Sequence, residues 1–247
     1  VGCGTQLVEE ELKKLFPEAR VIRMDADTTR TKFAYEELLG SFREGGADIL
    51  IGTQMVTKGH DFPDVTLVGV LNADSSLYLS DYKANERTFD IITQVIGRAG
   101  RGDKPGCALV QTYNPDHPVL RMAAEQNYEK MYAGETALRK SLVFPPYCDI
   151  VMFTLSSESE NELMSACREF SSLWSKTSAA NADIPTVMFG PMEAPVYKVV
   201  VIYRMRAVIK CRMDGKTRGM ISGVYSELSR MLGRKIGLSV DINPNSL

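Results

Sequence analysis

The sequence predicts an α/β fold in two parts: a layered lobe built on a parallel sheet over residues 1–118, and a smaller α+β domain over 142–247. Three observations predict it. Short, almost wholly apolar runs such as 48–52 (DILIG) and 65–71 (VTLVGVL) alternate with helical periodicity in the first half, as in strands buried on both faces between helices. Phe144-Pro145-Pro146 then breaks a helical stretch over 119–141 that serves as a connector. Beyond the break the periodicities run βαββαβ, a split order with a compact solution in one sheet.

The elements follow in order. Residues 6–16 place Leu7, Val8, Leu12, Leu15 and Phe16 near one helical face, and Pro17 ends the run. Residues 20–24 (RVIRM) read as a strand, DADTT as a turn, and 33–42 as a helix stopped by Gly45-Gly46. After the strands 48–52 and 65–71 come a helix over 85–98 and a strand over 107–112. The second domain reads as strand 149–155, helix 160–176, strand 186–189, strand 199–211, helix 219–232 and strand 237–241. Such an order is ferredoxin-like, a fold that by itself assigns no activity.

Composition narrows the classes. With 44% hydrophobic and 24% charged residues in 247, the chain suits one or two globular domains with real cores. No apolar run approaches the ~20 residues that span a bilayer, and Glu9, Glu10 and Glu11 leave no room for a secretory signal near the start. A cytoplasmic protein with no membrane partner is expected. The opening at Val1, straight into a glycine-rich turn, points to a piece of something longer. Cys3, Cys107, Cys148, Cys167 and Cys211 are scattered singly and, with only two histidines in the chain, read as small buried hydrophobes; no metal site is legible. Charge is uneven: Lys198 to Lys235 inclusive holds ten basic residues and only two acidic ones. A phosphate-binding surface needs such an excess.

Two constellations carry chemistry. Gln94-Val-Ile-Gly97-Arg98-Ala-Gly100-Arg101-Gly102 stands at a predicted helix end, where two arginines three residues apart can point the same way. A guanidinium is permanently charged and presents a planar fork that matches phosphate oxygens. Beside a γ-phosphate it stabilises the charge that spreads during phosphoryl transfer. The flanking glycines let the backbone approach a ligand. The second constellation, 52–63 (GTQMVTKGHDFP), follows the strand 48–52, at the sheet edge where open α/β folds gather ligands. Thr53, Gln54 and Lys58 suit a nucleic-acid backbone, and Asp61 a ribose hydroxyl.

Both stretches resemble the fifth and sixth conserved motifs of superfamily-two helicases. In detail, 48–74, 82–102 and 111–118, with FPPY at 144–147, GPMEAP at 190–195 and VDINP at 240–244, are similar to the primosomal protein N-prime family, bacterial helicases that restart stalled replication forks. The resemblance implies that 1–118 is the second RecA-like motor lobe, with ATP and Mg²⁺ bound between two lobes of the complete protein. It implies catalytic roles for Arg98, Arg101 and Gln94, with Gly59, Asp61 and Gly97 lining the nucleotide cleft. It also implies forked or single-stranded DNA, single-strand DNA-binding protein and other primosome subunits as partners, and zinc held by cysteines upstream of this chain. Where the family continues G-x-G-T-E, this chain has Gly4-Thr5-Gln6, and no G-x-x-x-x-G-K-[ST] occurs. The chain alone is therefore expected not to hydrolyse ATP.

Other readings compete. A branch-migration helicase shares the motor motifs. Gly2-Cys-Gly4 before a helix, with Asp25 some twenty residues on, approaches a nicotinamide-dinucleotide fingerprint, but Leu7 fills the place of its third glycine. A non-catalytic DNA-binding scaffold would have no use for the arginine pair. In the second domain Lys198, Arg204, Arg206, Lys210 and Arg212 are expected to contact DNA, since strand alternation puts the last four on one face. Tyr203 is placed to stack on a base or to join the core.

Overall fold

The computed structural model describes residues 4–25, 28–29, 32–53, 62–97, 105–233 and 235–247. The chain divides into two compact units, Val1–Leu79 with Ala84–Met131, and Ser80–Lys83 with Tyr132–Leu247.

In the first unit the order is α1 (Thr5–Leu15), β1 (Val21–Met24), α2 (Lys32–Arg43), β2 (Ile49–Gly52), β3 (Leu67–Val70), α3 (Asp74–Leu77), α4 (Ala84–Ile96), β4 (Cys107–Val110) and α5 (Pro118–Ala124). Every strand pairing here is parallel, as expected. Among the described residues, however, the sheet comes as two separate pairs, β1 with β2 and β3 with β4. Each pair has its own core. Met24, Leu39 and Phe62 close one of them, while Phe89 and Ile92 of α4 meet Val119, Leu120 and Ala123 of α5 in the other.

The expectation of a strand buried on both faces fails for β3, and β4 beside it has the same exposure pattern. Val70 and Val110 pack against the α4–α5 core, whereas Leu67 and Leu109, on the opposite face, are 59% and 60% exposed. Among the described residues nothing covers that face, so the run is apolar on both sides but buried on one. Helix α1 forms where its periodicity says, yet none of its residues is fully buried. The connector also differs: the single helix over 119–141 is two, α5 and α6 (Tyr128–Leu142), separated at Gln126, whose φ is 50°. Asn127 makes the break, since its side chain accepts the Lys130 N–H at 3.0 Å and starts α6 afresh.

The second unit runs β5 (Asp149–Ser157), α7 (Glu160–Ala180), β6 (Thr186–Val199), β7 (Ile202–Cys211), α8 (Gly215–Met231) and β8 (Gly237–Ile242). Its four strands lie in the order β6-β7-β5-β8, every neighbour antiparallel. Ser159 caps α7 by accepting from Glu162 N, and Asp214 caps α8 by accepting from Thr217 N at 2.8 Å. Both helices lay apolar faces on one side of the sheet. Phe153, Leu155, Ala207 and Ile209 meet Leu163, Phe170 and Trp174 of α7 and Val224 and Leu228 of α8 there. The strand expected over 199–211 starts later, at Ile202, because β6 extends to Val199 and the chain reverses at Val200 and Val201. An uninterrupted β-branched run concealed that turn. Gly190 matters on β6: at φ 91° its missing Cβ would stand 2.8 Å from the Arg206 carbonyl oxygen, at a register shift between Phe189 and Met192.

The cysteine expectation holds in part. Cys167 and Cys211 are buried, and burial pushes each thiol up to about 11. Cys107 is exposed and Cys148 half-buried. Among the described residues no helix is long and apolar enough to cross a membrane.

Candidate functional site

Helix α4 presents the first constellation. Its amphipathic repeat buries Thr88, Phe89, Ile92 and Val95, which fixes the helix against α5 and turns Gln94 to solvent. The helix ends at Ile96, and the Gly97 N–H closes the last turn onto Thr93 O at 3.0 Å. Arg98 and Arg101 follow directly in the chain and lie outside the described residues, as do Gln54, Lys58, Gly59 and Asp61. Thr53 is exposed just beyond the end of β2.

Gln94 and Gly97 line a cavity of about 380 Å³ together with Asp90, Thr93 and Tyr128. The Thr93 hydroxyl is enclosed there without a hydrogen-bond partner. Burial, and after it the neighbouring Glu86 charge, raises the Asp90 carboxyl above its ordinary value. The described lining thus offers amide and hydroxyl groups and one carboxylate, but no cation. A phosphate cannot be balanced by such a wall alone.

The carboxyl edge of β3 and β4 is organised around Asp74. Its buried carboxylate accepts from Thr112 Oγ1 and from Tyr113 N, both at 3.0 Å. This pins the loop after β4 and leaves the Tyr113 ring 96% exposed. Nothing in the sequence singled out Asp74; a carboxylate at the start of an unforeseen short helix was the available signal. Asp25, the acid of the dinucleotide-like pattern, is occupied internally by Thr5 Oγ1 at 2.6 Å and Arg23 at 2.9 Å.

The second unit brings the basic residues of β7 together as alternation predicts. Met205, Ala207, Ile209 and Cys211 enter the core, so Arg204, Arg206 and Lys210 take the other face, and Arg212 continues past the strand end, exposed. They are not equivalent. Lys210 Nζ donates to Leu142 O at 2.8 Å and sits 3.7 Å from the Phe144 ring centre. Phe144 in turn stacks on Tyr82, 5.1 Å between centroids, with the Arg139 guanidinium 5.2 Å from the Tyr82 ring centre. Arg206 is half-buried; burial lowers its pKa against a weaker opposing effect of Asp81. Arg204 donates to Val196 O at 3.2 Å, and Lys198 to the Tyr203 hydroxyl at 2.8 Å. The Nε atoms of Arg204 and Arg206 are enclosed and unpaired. Tyr203 itself is half-buried against the core. Among the described residues no group of three or more His, Cys, Asp or Glu is arranged to hold a metal ion.

Comparison with known proteins covers both units. Residues 4–103 match the helicase conserved C-terminal domain, and residues 140–245 the primosomal protein N C-terminal domain. The replication restart protein PriA of Bacillus subtilis (strain 168) is 41% identical over 244 residues, 98% of this chain and 30% of that protein. That of Synechocystis is 41% identical over 246 residues, 100% of this chain and 29% of that protein. The Haemophilus influenzae protein is 33% identical over 246 residues, again 100% of this chain and 33% of that protein. The chain thus spans about 30% of the length of the curated relatives it matches.

Proposed function

This chain belongs to the replication restart protein family, and on that footing we propose that it is the part of an ATP-dependent DNA helicase that completes the nucleotide site and grips branched DNA. One observation carries the reading: Q-x-x-G-R-x-G-R begins at an exposed Gln94 on a helix whose other face is locked into the core. The buried face of α4 fixes the helix, and Arg98 and Arg101 follow it in the sequence.

ATP is the substrate, and Mg²⁺ supplies charge neutralisation on its phosphates. This chain's own residues act around them. Arg98 and Arg101 meet the γ-phosphate, and Gln94 and Gly97 present neutral donors beside it. Gly59 and Asp61 line the cleft, and Thr53, Gln54 and Lys58 hold the nucleic-acid backbone. A loop that cradles phosphates with a lysine belongs to another lobe, so the chain alone does not turn over ATP. The described residues do not fit zinc.

Parallel pairing throughout the first unit supports a RecA-like motor lobe over 1–118. The order β6-β7-β5-β8 with two helices on one face supports a ferredoxin-like domain over 142–247, with 119–141 as connector. In this domain Lys198, Arg204, Arg206 and Arg212 contact DNA phosphates, while Lys210 is chiefly an internal clamp. Forked and single-stranded DNA, single-strand DNA-binding protein and primosome subunits are the partners, and the cytoplasm the location.

The test is Arg101→Ala in the full-length protein. DNA-stimulated ATP hydrolysis should fall by about 10³-fold or more, with DNA binding retained. Turnover at the wild-type rate overturns the reading.

A further inference from the structure

The β6–β7 hairpin closes on a turn of unexpected composition. Val199 pairs with Ile202, so Val200 and Val201 form the whole turn. Two-residue turns need a positive φ at their first central position and favour Gly, Asn or Asp there. Here Val200 takes φ 56°, a left-handed conformation that a β-branched residue adopts only under strain. Its side chain is 87% exposed, and Val199, Val201 and Ile202 are exposed around it. Neither packing nor backbone preference favours valine at this point. Strain retained at an exposed apolar tip marks a surface used for contact.

The stem indicates the partner's chemistry. Tyr197 donates to Glu160 of α7 at 2.8 Å, and Lys198 lies 4.3 Å from the Tyr203 ring centre, so the tip stands on an anchored base. The Lys198 ammonium donates to the Tyr203 hydroxyl and Arg204 to the Val196 carbonyl, both neutral acceptors. An apolar point on a stem whose Lys198 and Arg204 bond only neutral acceptors matches a ligand with flat apolar faces bordered by phosphates. Exposed base pairs at the end of a nucleic-acid duplex have that character.

We propose that this hairpin is a strand-separating wedge: Val199–Ile202 press against the terminal base pair of a forked duplex while Lys198 and Arg204 hold the flanking phosphates. Inserted apolar side chains unstack base steps in this way. The proposal rests on the nucleic-acid reading given above and assigns it a working part.

The experiment uses the full-length protein and a forked duplex with 2-aminopurine at the first paired position, without nucleotide. Binding of the wild type should brighten the probe as the pair opens. Val200→Gly relieves the strain and removes the apolar contact, so it should melt no lower than wild type and yet open the junction on the order of tenfold less. Val199→Ser with Ile202→Ser should act in the same direction. Lys198→Ala should leave opening at saturation intact but weaken binding and reduce its salt slope by about one. If Val200→Gly opens the junction as the wild type does, the wedge is refuted. Because no ATP is present, this outcome is separable from the Arg101→Ala result: lost turnover with intact opening, or the reverse, identifies which proposal fails.

Discussion

Lys210 offers a sharp test of the division between internal and external roles on β7. Its ammonium donates to the Leu142 carbonyl at 2.8 Å and lies 3.7 Å from the centre of Phe144 and 5.5 Å from that of Phe189. A hydrogen bond from a charged group contributes about 1.5–3 kcal/mol and a cation–π contact about 0.5–2 kcal/mol. The Leu142 residue is half exposed, and water satisfies its carbonyl once the lysine is gone, which discounts the sum. Lys210→Ala should therefore cost roughly 2 kcal/mol, a urea midpoint lower by about 1 M at an ordinary m-value. Trp174 is the chain's one tryptophan and is buried in the core of this unit, so its fluorescence reports the transition directly. Arg212→Ala, at an exposed position past the strand, should stay within about 0.5 kcal/mol of wild type. The reasoning is refuted if Lys210→Ala unfolds with Arg212→Ala and instead reduces the salt dependence of DNA binding by a full phosphate contact.

Three further outcomes follow from the same geometry. Phe170 is fully buried, 5.1 Å from Phe153 and 6.4 Å from Trp174, so Phe170→Ala should cost about 3–5 kcal/mol in the same urea titration; a loss under 1 kcal/mol would contradict the packing. Asp74→Ala strands two donors and should cost about 1–3 kcal/mol, with amide exchange at Tyr113 rising more than elsewhere in a thermal and exchange comparison. Asp90 is raised by burial, so the folded state holds its proton more tightly than the unfolded chain does. Its contribution is favourable below the unfolded carboxylate pKa and is lost as pH rises through the folded value. Asp90→Asn should therefore raise the melting temperature near pH 7, with the gain shrinking toward pH 4; a gain that grew on acidification would reverse the sign.

Much of this was legible in the chain because local chemistry and tertiary need agree. Gly45 announces the end of α2. Alternation along β7 placed Arg204, Arg206 and Lys210 opposite Met205, Ala207 and Ile209. What escaped has physical reasons. The turn at Val200–Val201 lacks every turn residue, so propensity favours a strand through it. Asn127 interrupts the connector through one side-chain bond, which periodicity over a longer window averages away. For Lys210, charge announced a phosphate ligand, but aromatic neighbours distant in sequence, Phe144 and Phe189, recruited it to the fold. Residues 98–104 and 54–61, which hold most of the nucleotide-site reading, lie outside the described residues.

The side of β3 and β4 that no described residue covers has a practical consequence. Leu67 and Leu109 form a greasy strip along parallel strands, and water tolerates such strips poorly. A preparation of this chain by itself should self-associate as it is concentrated, and sedimentation should read that tendency. Placing lysine or glutamate at those two leucines should keep the isolated polypeptide monodisperse, while the same changes in the complete protein should harm folding if a further element normally lies over the strip.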